Sequence, residues 1–320
     1  MANQLKRSRE LGSYFLCNDY HIDWAYSFLV SFREWNPTMP LTLIPFDDWT
    51  NNLVTLQKRF AFDILQSDLF PELEMFALEL FGKPSGLMRK LAGFWGFYDH
   101  FFYLDTDIVI TSDLMQLGQQ IRESGNDLVY FDSDIEAVYR PGLLREQMIR
   151  EYQTKAFNTG NWLSRRGLFS LEQLKTLACQ AQPVKEGMVC LFDQPFLNYC
   201  CDRARVKSAQ FSDLMNAYYC STWYRDIRAQ KVQGRWIQGT GEQAGRQLCM
   251  IHFAGQSPFP SPRMENYDLY LINRMKFRGF FATLMWNVRA HLRVSKIHPI
   301  YLKCKYILRR LAAPVLRKHR

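Results

Sequence analysis

Between residues 12 and 46 the chain changes its hydrophobic period twice, and that alternation restricts its fold more than any other feature. Gly12-Ser-Tyr-Phe-Leu-Cys-Asn18 is an apolar run that turns polar at its end, as a buried strand does. Ile22 to Trp35 then places Ile22, Ala25, Phe28, Leu29, Phe32 and Trp35 on one helical face, and Asn36-Pro37 stops it. Leu41-Thr-Leu-Ile-Pro-Phe46 is a second strand, closed by Asp47-Asp48. A helix carrying the chain from one strand to the next makes the two strands parallel. The expected fold class is therefore α/β, with a doubly wound, mostly parallel sheet.

The rest of the chain fits that reading. Residues 53–95 are expected to be mainly helical, with a break at Lys83-Pro84-Ser85-Gly86. His100-Phe-Phe-Tyr-Leu104 is apolar on both faces, as a central parallel strand is. Asp127-Leu-Val-Tyr-Phe131 and Leu248-Cys-Met-Ile-His-Phe253 are further strands. Ser170-Leu-Glu-Gln173 is a capping box opening a helix to about Gln182, and Asp193 to Arg205 is helical. No repeat or low-complexity segment is present.

Charge divides the chain. After Asp268 come 13 lysines and arginines and no carboxylate, although the whole chain carries only +9. We expect a mildly acidic globular domain over residues 1–260 and a basic, helical, amphipathic tail over 261–320, with the boundary near Pro258-Phe-Pro-Ser-Pro262. The cations of Leu269–Val288 and Tyr301–Leu316 alternate with Leu, Ile, Phe, Trp and Tyr. That mixture suits an anionic membrane surface better than a nucleic-acid backbone, so nucleic acid is not an expected partner. The bland alternative is that the apolar side packs on the domain. Eight cysteines without a C-x-x-C pair, no signal-like leader and no apolar run of ~20 residues point to free thiols and a cytoplasmic protein, peripheral at most.

Ligands of open α/β sheets gather at the carboxyl ends of the strands. Asn18-Asp19, Asp47-Asp48, Asp105-Thr-Asp107 and His252 all stand at such ends. Two carboxylates two residues apart, just past a buried strand, can turn to one ion, and with an imidazole they suit Mn²⁺ or Mg²⁺. Such an ion neutralises the charge that grows on a diphosphate leaving group. Each piece also has a plain structural reading. His252 can end an edge strand, Asn158-Thr-Gly160 can be a turn, Asp193 can cap a helix, and Asp132-Ser-Asp134 can be a loop or acceptor-side feature.

Phe-Tyr-Leu-Asp105-Thr-Asp107-Ile-Val resembles the Y-L-D-x-D-x-x-V signature of glycosyltransferase family 8, which has the GT-A fold. Three further pieces resemble that family's motifs, in its order: Phe157-Asn158-Thr-Gly160 (F-N-x-G), Asp193-Gln194-Pro-Phe-Leu-Asn198 (D-Q-x-x-L-N) and His252-Phe-Ala-Gly255 (H-F-x-G). The resemblance spans roughly residues 13–260. It implies a metal-dependent, retaining transferase that moves a sugar from a UDP- or GDP-type donor to a glycan or glycolipid hydroxyl. It implies Asp105, Asp107 and His252 as metal ligands, and Asn158, Asp193 and Gln194 around the sugar. Cys17, Asn18, Asp19, Arg89 or Lys90, Thr106, Gly160 and Gly255 would contact the donor. The family's K-P-W continuation, whose lysine grips the diphosphate, is absent: Gln256-Ser257-Pro258-Phe259 stands there, with Arg263 as the one nearby substitute.

Two rivals compete with this reading. A haloacid-dehalogenase-type phosphatase also uses D-x-D-x-V, but it needs a later acidic pair, and no Gly-Asp dipeptide occurs here. A non-catalytic membrane adaptor would use the basic tail and leave the ordered motifs unexplained.

Overall fold

The computed structural model describes residues 9–190, 192–221, 226–255 and 259–294. The strands are β1 (Arg9–Cys17), β2 (Leu41–Pro45), β3 (Asp63–Ile64), β4 (Tyr98–Asp105), β5 (Ile108–Ile110), β6 (Leu128–Tyr130), β7 (Asn161–Arg165), β8 (Ser208–Gln210), β9 (Tyr218–Tyr219), β10 (Ala229–Val232), β11 (Arg235–Gln238), β12 (Gln247–Leu248) and β13 (Met250–His252). The α-helices are α1 (Ile22–Trp35), α2 (Asn51–Phe60), α3 (Phe70–Phe81), α4 (Leu114–Glu123), α5 (Leu143–Gln147), α6 (Leu171–Ala181), α7 (Asp193–Arg203), α8 (Phe211–Leu214), α9 (Tyr267–Arg278) and α10 (Phe280–Val294).

The main sheet has seven strands in the order β3-β2-β1-β4-β7-β6-β8. Six run parallel; β7 alone is reversed, pairing antiparallel with both β4 and β6. The α/β expectation therefore holds, with one antiparallel strand in the middle. The periodic elements fall where their patterns put them, α1 over Ile22–Trp35 and the Ser170 capping box at the start of α6. Tyr98, Phe101, Phe102, Tyr103 and Leu104 are buried along β4, as a strand covered on both faces requires. One apolar cluster lies on each face of the sheet.

The expected late strand divides in two. Gln247–Leu248 joins a four-stranded sheet, β10-β11-β12-β9, while Met250–His252 pairs antiparallel with β5. The largely helical reading of 53–95 holds except at β3 and at a 3-10 helix over Gly86–Trp95.

The C-terminal helices fold back onto α1. Arg274 forms a buried ion pair with Asp23 at 2.6 Å, and Trp286 Nε1 donates to the same carboxylate. Tyr270 donates its hydroxyl to the Asp23 carbonyl. Among the described residues, no helix is long and apolar enough to cross a membrane. Tyr301–Leu316 lies outside the described residues.

Candidate functional site

The carboxyl end of β4 is where the chain leaves one sheet for another. Asp105 is the last residue of β4, Thr106 and Asp107 make the turn, and β5 begins at Ile108. Pairing of β5 with β13 sets Ile108 opposite His252, and the Phe253 amide donates to the Asp107 carbonyl. That register delivers an imidazole from late in the chain to the two carboxylates. Ligand atoms of Asp105, Asp107 and His252 lie within 4.8 Å of one another.

Two observations show that this cluster fits a cation. Asp107 Oδ1 is buried and makes no hydrogen bond of acceptable geometry, although His252 Nε2 lies 3.2 Å away. A buried carboxylate oxygen met only by a poorly aligned imidazole keeps lone pairs that a cation can take. Gly160 keeps the space open: a Cβ there would stand 2.3 Å from His252 Cε1 and 2.7 Å from Asp105 Oδ2. The Asp105 amide donates to the Gly160 carbonyl, so the backbone approach is fixed as well.

The charges act on each other. Burial lowers the affinity of His252 for a proton, but the Asp107 and Asp105 carboxylates outweigh it and raise its pKa. Burial raises the Asp107 pKa, and His252 overcomes that to leave it lowered. Asp105 is raised, because burial exceeds the opposing pull of Lys90. The same field that draws a proton to His252 would attract a metal cation, for which carboxylates and one imidazole are suitable donors.

Lys90 lies under this cluster, fully enclosed. Its Nζ stands 2.7 Å from Asp193 Oδ2 and 3.7 Å from Asp105 Oδ1, and it donates to the Thr159 carbonyl. Burial pushes its pKa down, but the carboxylates of Asp105 and Asp193 outweigh that and leave it raised. One lysine thus links the β4 carboxylate to the first residue of α7. Arg89, named with Lys90 as a candidate donor contact, pairs with Glu74 and packs over Phe70.

The asparagine and glutamine motifs meet beside Lys90. Asn158 Oδ1 accepts from the Gly160 amide, closing an Asx-type turn, and Asn158 Nδ2 donates to Gln194 Oε1 at 3.2 Å. Gln194 Nε2 donates to the Ala137 carbonyl, and Thr159 donates its hydroxyl to Asp193. The turn reading of Asn158-Thr-Gly160 holds, and the turn lies against Gln194. Asn198, one turn further along α7, joins the motifs: its side chain pairs with both the amide and the carbonyl of Phe157. It is the residue that closes the D-Q-x-x-L-N match.

A cleft opens above the cluster, lined by Cys17, His21, Trp24, Phe46 and Leu87 with Asp105, Thr106 and Asp107. Cys17 and Thr106 both line this cleft. Burial pushes the Cys17 thiol up to about 12, so it lines the cleft as a neutral group. Asn18 and Asp19 are engaged in structure. Asn18 bridges Asp47 and His21. Asp19 accepts from the amides of Asn52 and Leu53 and from the Asn52 side chain, capping α2. Gly255 adopts φ +78°, the left-handed region that favours glycine. Gln256-Ser257-Pro258 lies outside the described residues.

No protein-family description matches the sequence, and no curated protein does. Solved structures do resemble it. Mouse xyloside xylosyltransferase 1 is 15% identical, with 79% of this chain and 100% of that one covered at a TM-score of 0.50. An active-site mutant of LgtC is 14% identical, with 84% and 99% covered at 0.49. The glycosyltransferase GlyE of Streptococcus pneumoniae TIGR4 is 17% identical over 65% of this chain, at 0.41; this chain spans 46% of its length. The likeness establishes a GT-A-type glycosyltransferase fold.

Proposed function

We propose that this chain is a metal-dependent glycosyltransferase that moves a sugar from a nucleoside-diphosphate donor to an acceptor hydroxyl. The observation that carries the reading is the meeting, on this fold, of Asp105, Asp107 and His252 with Lys90, Asp193, Gln194 and Asn158. Asp105, Asp107 and His252 would hold Mn²⁺ or Mg²⁺, which when bound supplies charge to offset that developing on the departing diphosphate. The cleft between Cys17, His21 and Phe46 would take the nucleotide. The donor would be of the UDP or GDP type, the acceptor a glycan or glycolipid, and the sugar a hexose.

Asp193 would lie beside the anomeric carbon. Lys90 and Thr159 fix its carboxylate in one position. An anion held there opposes the positive charge that develops on the sugar ring. The neighbouring reactive group is the amide Gln194, which cannot act as a base. A fixed carboxylate with an amide beside it supports retention of configuration. The imidazole in the metal cluster favours transfer over the phosphatase alternative, whose site is built from additional carboxylates.

The test is a donor panel with Mn²⁺, following nucleoside-diphosphate release without acceptor. Turnover of at least one UDP- or GDP-sugar is expected. Release from none of them, with or without Mn²⁺, would reject the reading.

A further inference from the structure

α10 is amphipathic in an unusual sense. Thr283 and Ala290 are buried against the protein, and Trp286 packs over Arg274 on the same side. At 100° per residue, Phe280, Phe281, Leu284, Met285 and Val288 occupy the opposite arc. All five are exposed, Phe281 by 80%. Ile272 and Met275 of α9 extend the patch, and a groove between the helices is lined by Leu271, Met275, Phe280 and Leu284, with Asp268 at its edge. Scattered exposed apolar residues need no explanation, but a contiguous stripe of large ones marks an interaction surface.

The charges around the stripe select its partner. Arg278, Arg289 and Arg293 are exposed on this hairpin, whereas Arg274 is buried against Asp23 and Lys276 pairs with Glu34. No carboxylate follows Asp268 in the chain, and eight more lysines and arginines follow Arg293. A second copy seated on this face would bring the same cations together. A nucleic acid would leave the aromatic stripe uncovered. A bilayer with anionic headgroups takes both the apolar side chains and the cations.

We propose that the outward face of α10 is the surface by which this protein docks on an anionic membrane, with Phe280, Phe281, Leu284, Met285 and Val288 entering the interface. The inference narrows the basic amphipathic region to one helix, because Tyr267, Leu269 and Tyr270 of α9 are buried in the protein core. It does not rest on the donor chemistry. Its consequence is positional. Asp23, which anchors the hairpin, lies in the first turn of α1, beside the cleft residues His21 and Trp24. Docking would therefore fix the attitude of the cleft to the lipid surface, as a lipid-borne acceptor requires.

Cosedimentation of the full chain with phosphatidylcholine vesicles, with and without phosphatidylglycerol, tests this. The wild type should sediment with the anionic vesicles and far less with the neutral ones. Phe281→Glu/Leu284→Glu, at unchanged melting temperature, should lower partitioning by about tenfold or more. Val288→Glu, a milder change on the same arc, should lower it in the same direction and serves if the double variant does not fold. Sedimentation undiminished by these variants, equal binding to neutral vesicles, or none at all would overturn the proposal. So would a dimer in analytical ultracentrifugation that the variants dissolve, which would assign the face to a second copy.

Discussion

The carboxylates that follow β1 and β4 stand at the same end of two neighbouring parallel strands and do opposite things. Asp19 receives three N–H donors from the start of α2, and its charge is fully satisfied. Asp107 has an oxygen buried without a hydrogen bond, with His252 brought beside it by the β5–β13 pairing. Both are acidic residues past an apolar strand, and position alone cannot separate them. The count of donors does: the carboxylate with three N–H donors builds a helix end, and the one met only by an imidazole keeps room for a cation.

The contrast is broken most forcefully at the cluster of Asp105, Asp107 and His252. Asp105→Ala and Asp107→Ala should each lower donor turnover on the order of a thousandfold, the scale set by several kcal/mol of lost charge stabilisation. The thermal unfolding of Asp107→Ala should stay near that of the wild type, whereas Asp105→Ala also removes the acceptor of the Tyr103 hydroxyl and should melt somewhat lower. Gly160→Ala should reduce turnover through the same cluster by displacing His252 from Asp105. A crystal structure of that variant with an undisturbed His252 and normal turnover would show that the cluster tolerates a Cβ.

Removing the shared cation comes next. Lys90→Met leaves Asp193 buried without its ion pair and Asp105 without its nearby cation. Breaking a buried pair from one side costs about 3–5 kcal/mol, and urea unfolding should register it. Stability unchanged by Lys90→Met would mean that the pair is solvated in solution.

At Asp19 the expected effect is smaller and of the other kind. Asp19→Ala should cost about 1 kcal/mol, the scale on which losing a side-chain acceptor at a helix start is felt, with donor turnover retained. If it instead abolished turnover at full stability, Asp19 would belong with the donor-binding residues that the family resemblance implied.

A third carboxylate sharpens the comparison. Asp202 is buried at the far end of α7, accepts from the Tyr139 hydroxyl, and is pushed by burial up to about 7. Its folded-state pKa lies above its unfolded one, so the native state binds the proton more tightly. Its stabilising contribution is complete below the ordinary aspartate range and is lost as pH rises to about 7. Asp202→Asn should therefore melt higher than the wild type at pH above about 7, with a flatter pH profile below it. Parallel profiles for the two proteins would place the titration elsewhere.

Much of this was legible in the residues. The continuous apolar runs of β1 and β2 and the period-3.6 face of α1 marked the parallel half of the sheet, because complete or one-sided burial leaves a plain pattern. The reversed strand β7 was not legible: Asn161-Trp-Leu-Ser-Arg165 is short and of mixed polarity, and nothing local states that it fits between β4 and β6. Leu248–Phe253 read as one strand because its apolar run is continuous, yet the chain passes from one sheet to another within it. The meeting of Asp105, Asp107 and His252 was legible from strand ends and motif order. That Lys90 rather than Arg89 reaches Asp193 depends on the 3-10 path of Gly86–Trp95, which has no clear sequence signature. That Asp19 is satisfied depends on where α2 begins in space, which a linear reading does not contain.

The central claim is that Asp105, Asp107 and His252 hold a divalent ion needed to bind a nucleoside diphosphate. Calorimetric titration of the wild type and of Asp107→Ala with UDP and with GDP, in Mn²⁺ and again in EDTA, tests it most directly. One of the two nucleotides should bind the wild type in Mn²⁺, lose most of its affinity in EDTA, and bind Asp107→Ala weakly in both. Equal affinity in Mn²⁺ and EDTA, or full affinity in Asp107→Ala, would contradict the account.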